Sequence, residues 1–304
     1  MIEQAAKLTT CEFENALPFC VAHLHAQRNV CLITLINIEG ASPRPLGSQI
    51  AVAQDGTHVG MITGGCAEEA LVKHALLQFD VEAQQRQTVL RLGSDSPWVD
   101  IRLPCGAGID VHFSFPQSAD VFDQALSRLA AREPICLELD IAPGQWSVGS
   151  PNATTALRSA GVFVRHFDPS TRIVIVGEGP YADALVGLAA ATDFQIVRSG
   201  PSTPTSAMLD AYSAVVLLMH DHGQEPAILK TVLRSDCFYV GALGSRTTHQ
   251  GRVEQLEAMG VSAQSVKRIH GPVGLPIGAR TPNEIALSIL AEITLTKHQR
   301  FSDV

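Results

Sequence analysis

Thr63-Gly64-Gly65-Cys66-Ala67-Glu68 puts a thiol, a carboxylate and two adjacent glycines where an extended stretch turns into a helix. Glycines at such a junction leave backbone N–H groups uncovered, and the helix N-terminus adds partial positive charge, so the turn suits an anion. The same field favours a thiolate, which predicts a Cys66 more reactive than a buried cysteine. A tight turn with a small core thiol is the other reading of these residues. Upstream, Ser42-Pro43-Arg44-Pro45-Leu46-Gly47-Ser48 offers Ser42, Arg44 and Ser48 as phosphate donors, on a loop whose prolines exclude helix. Cys105-Gly106 is a second thiol beside glycine.

The second half carries its own set. Gly177-Glu178-Gly179-Pro180-Tyr181-Ala182 follows an apolar strand and opens a helix, the context in which G-x-G-x-x-A reads as a dinucleotide site. Glu178 puts a carboxylate where a diphosphate would lie. Arg198 follows the next strand, in place of the acid that holds a ribose 2′-hydroxyl, which points to NADP or another phosphorylated ligand more than to NAD. A Rossmann-like fold that has lost its nucleotide is the alternative. His220-Asp221-His222 ends the third strand of this half, with side chains that could bind a divalent metal or line a crevice; no third protein ligand is evident nearby. Gly244-Ser245-Arg246 repeats the glycine-then-helix arrangement and adds anion ligands. Thr281-Pro282-Asn283-Glu284 reads as a helix start closed by a capping box, a structural account of Glu284. Signatures of ordinary hydrolases and kinases are missing: there is no G-x-S-x-G, H-E-x-x-H or P-loop.

These residues need elements to hold them. The first half reads as mixed α/β: an amphipathic helix over 12–27, a doubly buried strand over 30–37, and a hairpin of 49–53 with 58–63 through Asp55-Gly56. A strand over 88–92, an alternating strand from Ile109 to Phe115, a helix over 118–131 and a strand over 135–141 follow. Between Gly149 and Ala160 the periodicity fails, so two domains are expected, 1–155 and 165–304. From Arg172 the order is strand, glycine loop, helix, repeated, with strands at 172–176, 194–197, 214–219 and 238–241. Helices are expected at 181–191, 205–212, 226–234, 248–259 and 282–297. That alternation predicts a Rossmann-like domain built on a parallel sheet.

Composition limits the function classes. A net charge of −8 without a basic cluster argues against nucleic acid, and no apolar run reaches the ~20 residues of a membrane span. The N-terminus shows no basic leader with an apolar segment, so a cytoplasmic protein is expected. Seven scattered cysteines, never spaced C-x-x-C, form neither a disulfide framework nor a zinc module.

In combination, Ser42-Pro43-Arg44-Pro45-Leu46-Gly47, Gly64-Gly65-Cys66-Ala67-Glu68, Cys105-Gly106, Met219-His220-Asp221-His222, Gly241-Ala242-Leu243-Gly244-Ser245-Arg246 and the run from Pro272 to Ala286 resemble the xanthine dehydrogenase accessory family, of XdhC/CoxI type. The resemblance spans most of the chain. It departs at Gly177-Glu178-Gly179-Pro180, where members usually carry G-A-G-H, at Ala107, where glycine is usual, and at Arg198, where an acid is usual.

Such proteins bind the molybdenum cofactor and deliver it to molybdenum hydroxylases. The resemblance therefore implies an accessory protein, not a turnover enzyme. Its cofactor would be molybdopterin or the cytosine dinucleotide form, its client a hydroxylase of the xanthine dehydrogenase or aldehyde oxidoreductase type. A cysteine desulfurase partner and a homodimer are further expectations. Cys66, with Cys105, would contact the molybdenum or assist its sulfuration, since soft thiolates suit such a metal. The competing reading is an NADP-dependent oxidoreductase with His220 or His222 as acid or base.

Overall fold

The computed structural model describes residues 16–93, 108–151, 153–219 and 223–301. Cys105, Gly106, His220, Asp221 and His222 therefore lie outside the described residues. The chain divides into two units, Met1–Pro169 and Ser170–Val304.

The first unit is organised by one apolar strand. β1 (Val30–Glu39) has a buried side chain at every position from Val30 to Ile36, so its two faces feed two cores. Cys31, Ile33 and Leu35 point to one core, and Val30 and Leu32 to the other. This is the period-2 geometry of a strand covered on both sides. β2 (Gln49–Ala53), β3 (His58–Gly60), β4 (Val89–Leu92) and β5 (Gly108–Ser114) complete an antiparallel sheet in the order β3-β2-β1-β5-β4. The β2–β3 hairpin turns through Asp55-Gly56, with Gly56 at φ +87°.

α2 (Glu68–Phe79) covers the first face with Leu71, Val72 and Ala75. α1 (Ala16–His25) and α3 (Asp120–Ala130) cover the second. A further antiparallel sheet, β7-β6-β9-β8, is built from β6 (Ile135–Asp140), β7 (Gln145–Val148), β8 (Ala156–Arg158) and β9 (Val162–Phe167). The polar stretch read as a boundary, 149–160, thus leads into β8, and β9 carries the first unit to Pro169. β7 and β8 are too exposed to show an apolar alternation, so nothing in their sequence marks them as strands.

The second unit is a parallel sheet in the order β11-β10-β12-β13-β14, formed by β10 (Arg172–Val176), β11 (Gln195–Gly200), β12 (Ser213–Leu217), β13 (Tyr239–Ala242) and β14 (Ile269–His270). α4 (Pro180–Ala189) and α8 (Pro282–Phe301) pack on one face. α5 (Glu225–Val232), α6 (Arg246–Ala258) and α7 (Ala263–Val266) pack on the other. Strand order reverses between β10 and β12, and in open parallel sheets the carboxyl ends of strands at such a reversal are where ligands bind.

One expected helix is absent. Residues 205–212 hold only a 3-10 turn at Ser206–Met208. Asp210 and Ser213 side chains bond the local backbone instead, Asp210 Oδ1 accepting from Tyr212 N at 2.8 Å and Ser213 Oγ from Asp210 N at 3.2 Å. The Thr281 capping box forms as expected, with Thr281 N donating to Glu284 Oε2 at 2.9 Å and Glu284 N to Thr281 Oγ1 at 3.3 Å.

Candidate functional site

After β3 the chain passes through 61–67 before α2 begins. Gly64 and Gly65 sit at φ +77° and +104°, conformations that glycine adopts without strain. Ile62, Thr63 and Ala67 are buried, while Gly64, Gly65 and Cys66 are exposed. The turn is thus anchored at both ends and presents its thiol outward.

Its donors have an acceptor already, the carboxylate of Glu68. Oε1 accepts from Ile62 N at 3.0 Å and Thr63 N at 2.6 Å. Oε2 accepts from Thr63 Oγ1 at 2.6 Å, Gly65 N at 2.8 Å and Ala67 N at 3.3 Å. Burial pushes this carboxyl up, but the bonds from the Thr63 hydroxyl and the Thr63 and Ile62 N–H groups outweigh it and hold it below the ordinary 4.5. The anion that the glycine turn attracts is therefore the chain's own. Glu68 and Glu69 also stand in the first turn of α2, where they complement the helix dipole. Cys66 is exposed, and the Gly64 and Cys66 N–H groups make no hydrogen bond among the described residues.

The Ser42–Ser48 loop lies against this turn. A Cβ placed on Gly64 would be 3.7 Å from Pro43 Cβ. The loop is tied to β1 through Leu35, which donates to Ser48 O at 2.9 Å and accepts from Gly47 N at 2.8 Å. Its hydroxyls hold the loop itself: Ser42 Oγ donates to Arg44 O at 2.9 Å, and Ser48 Oγ to Pro45 O at 2.8 Å. Arg44 is half-buried beside them. The fold thus brings together Ser42, Arg44, Gly64, Gly65, Cys66 and Glu68.

In the second unit, Gly177 has φ +117°, and a Cβ there would meet Leu218 O at 2.5 Å, so the first glycine is required by a backbone crossing. Gly179, at φ +98°, has open space above it. Arg198 Nη2 bonds Asp183 Oδ1 at 2.6 Å, an exposed pair that engages the guanidinium with α4. Glu178 reaches toward the end of β11, its Oε1 3.6 Å from where a Gly200 Cβ would be. Ser245 caps α6, accepting from Thr248 N at 3.1 Å, and Arg246 is exposed in the first turn. Gly244, at φ +146°, admits Thr248 closely.

Thr63 is a site residue that the sequence does not single out, yet it accepts from Ala67 N at 2.8 Å and donates to Glu68. Its spacing to Glu68 is five, not the three of a capping box, so no pattern announces it. The cluster around Glu292 is silent in the sequence for the same reason. Tyr239 Oη, His270 Nδ1 and Gly274 N converge on that carboxylate at 2.5, 3.1 and 2.8 Å, pinning the 271–278 loop to α8. Among the described residues no helix is long and apolar enough to cross a membrane. No group of three or more His, Cys, Asp or Glu among them is placed to hold a metal ion.

The XdhC and CoxI family pattern matches residues 23–93, and the XdhC Rossmann domain pattern matches residues 173–293. A relative from Escherichia coli (strain K12), described as the molybdenum cofactor insertion chaperone PaoD, is 36% identical over 293 residues, covering 95% of this chain and 91% of its own. The chain belongs to the XdhC and CoxI family. A protein from Bacillus subtilis (strain 168), described as a probable xanthine dehydrogenase subunit, is 22% identical, covering 91% of this chain and 96% of that one. A crystal structure from Bacillus halodurans, described as a xanthine dehydrogenase, shares the fold at a TM-score of 0.70 and 20% identity, covering 94% of this chain and 96% of that one. Gly64, Gly65, Cys66 and Glu68 fall inside the first matched segment, and the glycine loops of the parallel sheet inside the second.

Proposed function

We propose that this protein binds the molybdenum cofactor and inserts it into a client molybdenum hydroxylase, with Cys66 as the protein's contact to the metal end. The observation that carries this reading is an exposed thiol on a turn locked by Glu68, in a chain 36% identical to a molybdenum cofactor insertion chaperone. Molybdenum bound by a dithiolene is a soft centre, and a thiolate is a soft ligand, so the donor fits the cargo. The Ile62, Thr63, Gly65 and Ala67 N–H groups do not serve its phosphate, because Glu68 already takes them.

The cofactor's polar end is instead assigned to Arg44 and to the N–H groups of Gly64 and Cys66. Molybdopterin and its cytosine dinucleotide are both compatible with that set, and the proposal extends to a cytoplasmic homodimer that receives sulfur from a cysteine desulfurase. Gly177, Gly179, Arg198, Gly244, Ser245 and Arg246 line the edge where the parallel sheet would receive a nucleotide. Cys105, Gly106, His220 and Asp221 complete the proposed contacts.

The test mixes cofactor-loaded protein with a cofactor-free molybdenum hydroxylase and measures hydroxylase turnover. Activation above that given by free cofactor is expected, and activation no greater than free cofactor would contradict the reading.

A further inference from the structure

The first unit holds another thiol whose neighbours are those of a nucleophile. Cys136 on β6 and His166 on β9 are cross-strand partners, and Cys136 Sγ lies 3.2 Å from His166 Nδ1. His166 Nε2 lies 2.9 Å from Asp168 Oδ1. With Asp168 accepting from Nε2–H, a neutral His166 presents Nδ1 to the thiol, and the Ala153 carbonyl is the acceptor that both Cys136 and His166 share. Nucleophile, base and orienting group stand in the order and at the separations that an activated cysteine requires.

Cys136 is fully buried, beneath Pro151 and Ala153. The carbonyl oxygens of Ala153 and Pro151 approach its sulfur at 3.1 and 3.7 Å. The cover is shallow. Ser150, Pro151 and Thr154 are exposed, and the side chains of His166 and Asp168 reach solvent at 19% and 39% exposure. Burial pushes the Cys136 thiol up, whereas the hydrogen bond to Asp168 pushes His166 up. The cover therefore keeps an unreactive thiol beside a basic imidazole.

We propose that Cys136, His166 and Asp168 form a second thiol centre, which reacts with small two-electron oxidants of the peroxide class when the cover supplied by Pro151 and Ala153 moves aside. His166 takes the thiol proton, and the thiolate attacks one peroxide oxygen. The O–O bond breaks as the S–O bond forms, and the departing hydroxide takes the proton from His166 to leave as water. Sulfur is oxidised by two electrons to a sulfenic acid and the peroxide is reduced by two. The product is larger than the thiol and displaces the Ala153 carbonyl. Thr155, whose Oγ1 accepts from His166 N at 3.0 Å, packs 3.1 Å from where a Gly47 Cβ would be. Oxidation is thereby felt at the loop carrying Arg44.

The test treats the full-length protein with hydrogen peroxide in the presence of a sulfenic-acid trap and follows adducts on each cysteine by mass spectrometry. Cys136 is expected to be trapped about tenfold faster than Cys20, Cys31 and Cys237. That rate should fall about tenfold or more in His166→Asn while the rate at Cys66 stays unchanged. Asp168→Asn, a change at the surface, should give a smaller fall without endangering the fold. Pro151→Gly loosens the cover and should raise the Cys136 rate alone. Trapping of Cys136 only after denaturation, or a rate indifferent to both His166→Asn and Asp168→Asn, would overturn the assignment.

Discussion

Glu68 Oε2 accepts the Gly65 N–H at 2.8 Å while Oε1 of the same carboxylate takes those of Ile62 and Thr63. One side chain thus closes the whole turn that displays Cys66, so the rigidity of the thiol and the charge of Glu68 are linked.

Glu68→Gln preserves shape but turns an NH2 group toward backbone donors. A hydrogen bond to a charged acceptor contributes about 1.5–3 kcal/mol, and this substitution weakens several together. A loss of about 2 kcal/mol in urea unfolding is expected, with a changed alkylation rate at Cys66. An unchanged urea midpoint would mean that the turn is held by something else.

Alkylation of the native protein should modify Cys66 ahead of Cys20, Cys31, Cys136 and Cys237. Cys66 is exposed and the other four are buried. Burial also pushes Cys20 up to about 12 and Cys31 well above the ordinary 9.0, so little thiolate exists at either. Peptide mapping after a brief iodoacetamide pulse reads the order. Labelling of Cys20 or Cys31 before Cys66 would contradict the placement of the turn.

Acid should destabilise the first unit in two windows. His112 is fully buried, and burial lowers it from 6.5 to about 4. Its folded value lies below its unfolded one, so its contribution is present above pH 6.5 and is lost as pH falls from there through 4. It amounts to about 3 kcal/mol. Burial lowers His74 in the same direction. Glu68, also lowered, adds a further loss below 4.5. Urea titrations from pH 7 to 4 should show the first decline, flattened in His112→Gln; a midpoint constant over that range would refute it.

The second unit should not bind NADPH tightly. Arg198 is engaged by Asp183, and Glu178 brings negative charge beside Gly200, the region a 2′-phosphate would occupy. No enhancement of NADPH fluorescence is expected from the purified protein, and micromolar binding would revive an oxidoreductase reading.

Much of this fold is legible without coordinates, and the losses have physical causes. β1 announces itself because Val30 to Ile36 must be buried on both faces. The glycine loops after β10 and β13 are marked by Gly177, Gly179 and Gly244, which alone tolerate their backbone conformations. β7 and β8 escape notice because their exposed residues carry no periodic signal. At the site, the exposure of Cys66 follows from its glycine neighbours. The capture of the turn by Glu68 does not, since it depends on a side chain folding back over five residues to Thr63. Pairing of Cys136 with His166 depends on the register of β6 against β9, strands some thirty residues apart in sequence, which no local pattern reveals.

Retention of the molybdenum cofactor is proposed to depend on the Cys66 thiol. Its most direct test is to express the wild type and Cys66→Ala in cells that make molybdopterin, purify both, and determine bound pterin and molybdenum per chain by mass analysis. Cofactor is expected on the wild type, with about a tenfold or greater loss of occupancy in Cys66→Ala and an unchanged urea midpoint because the thiol is exposed. Equal occupancy in the two proteins, or no pterin on the wild type, would contradict it.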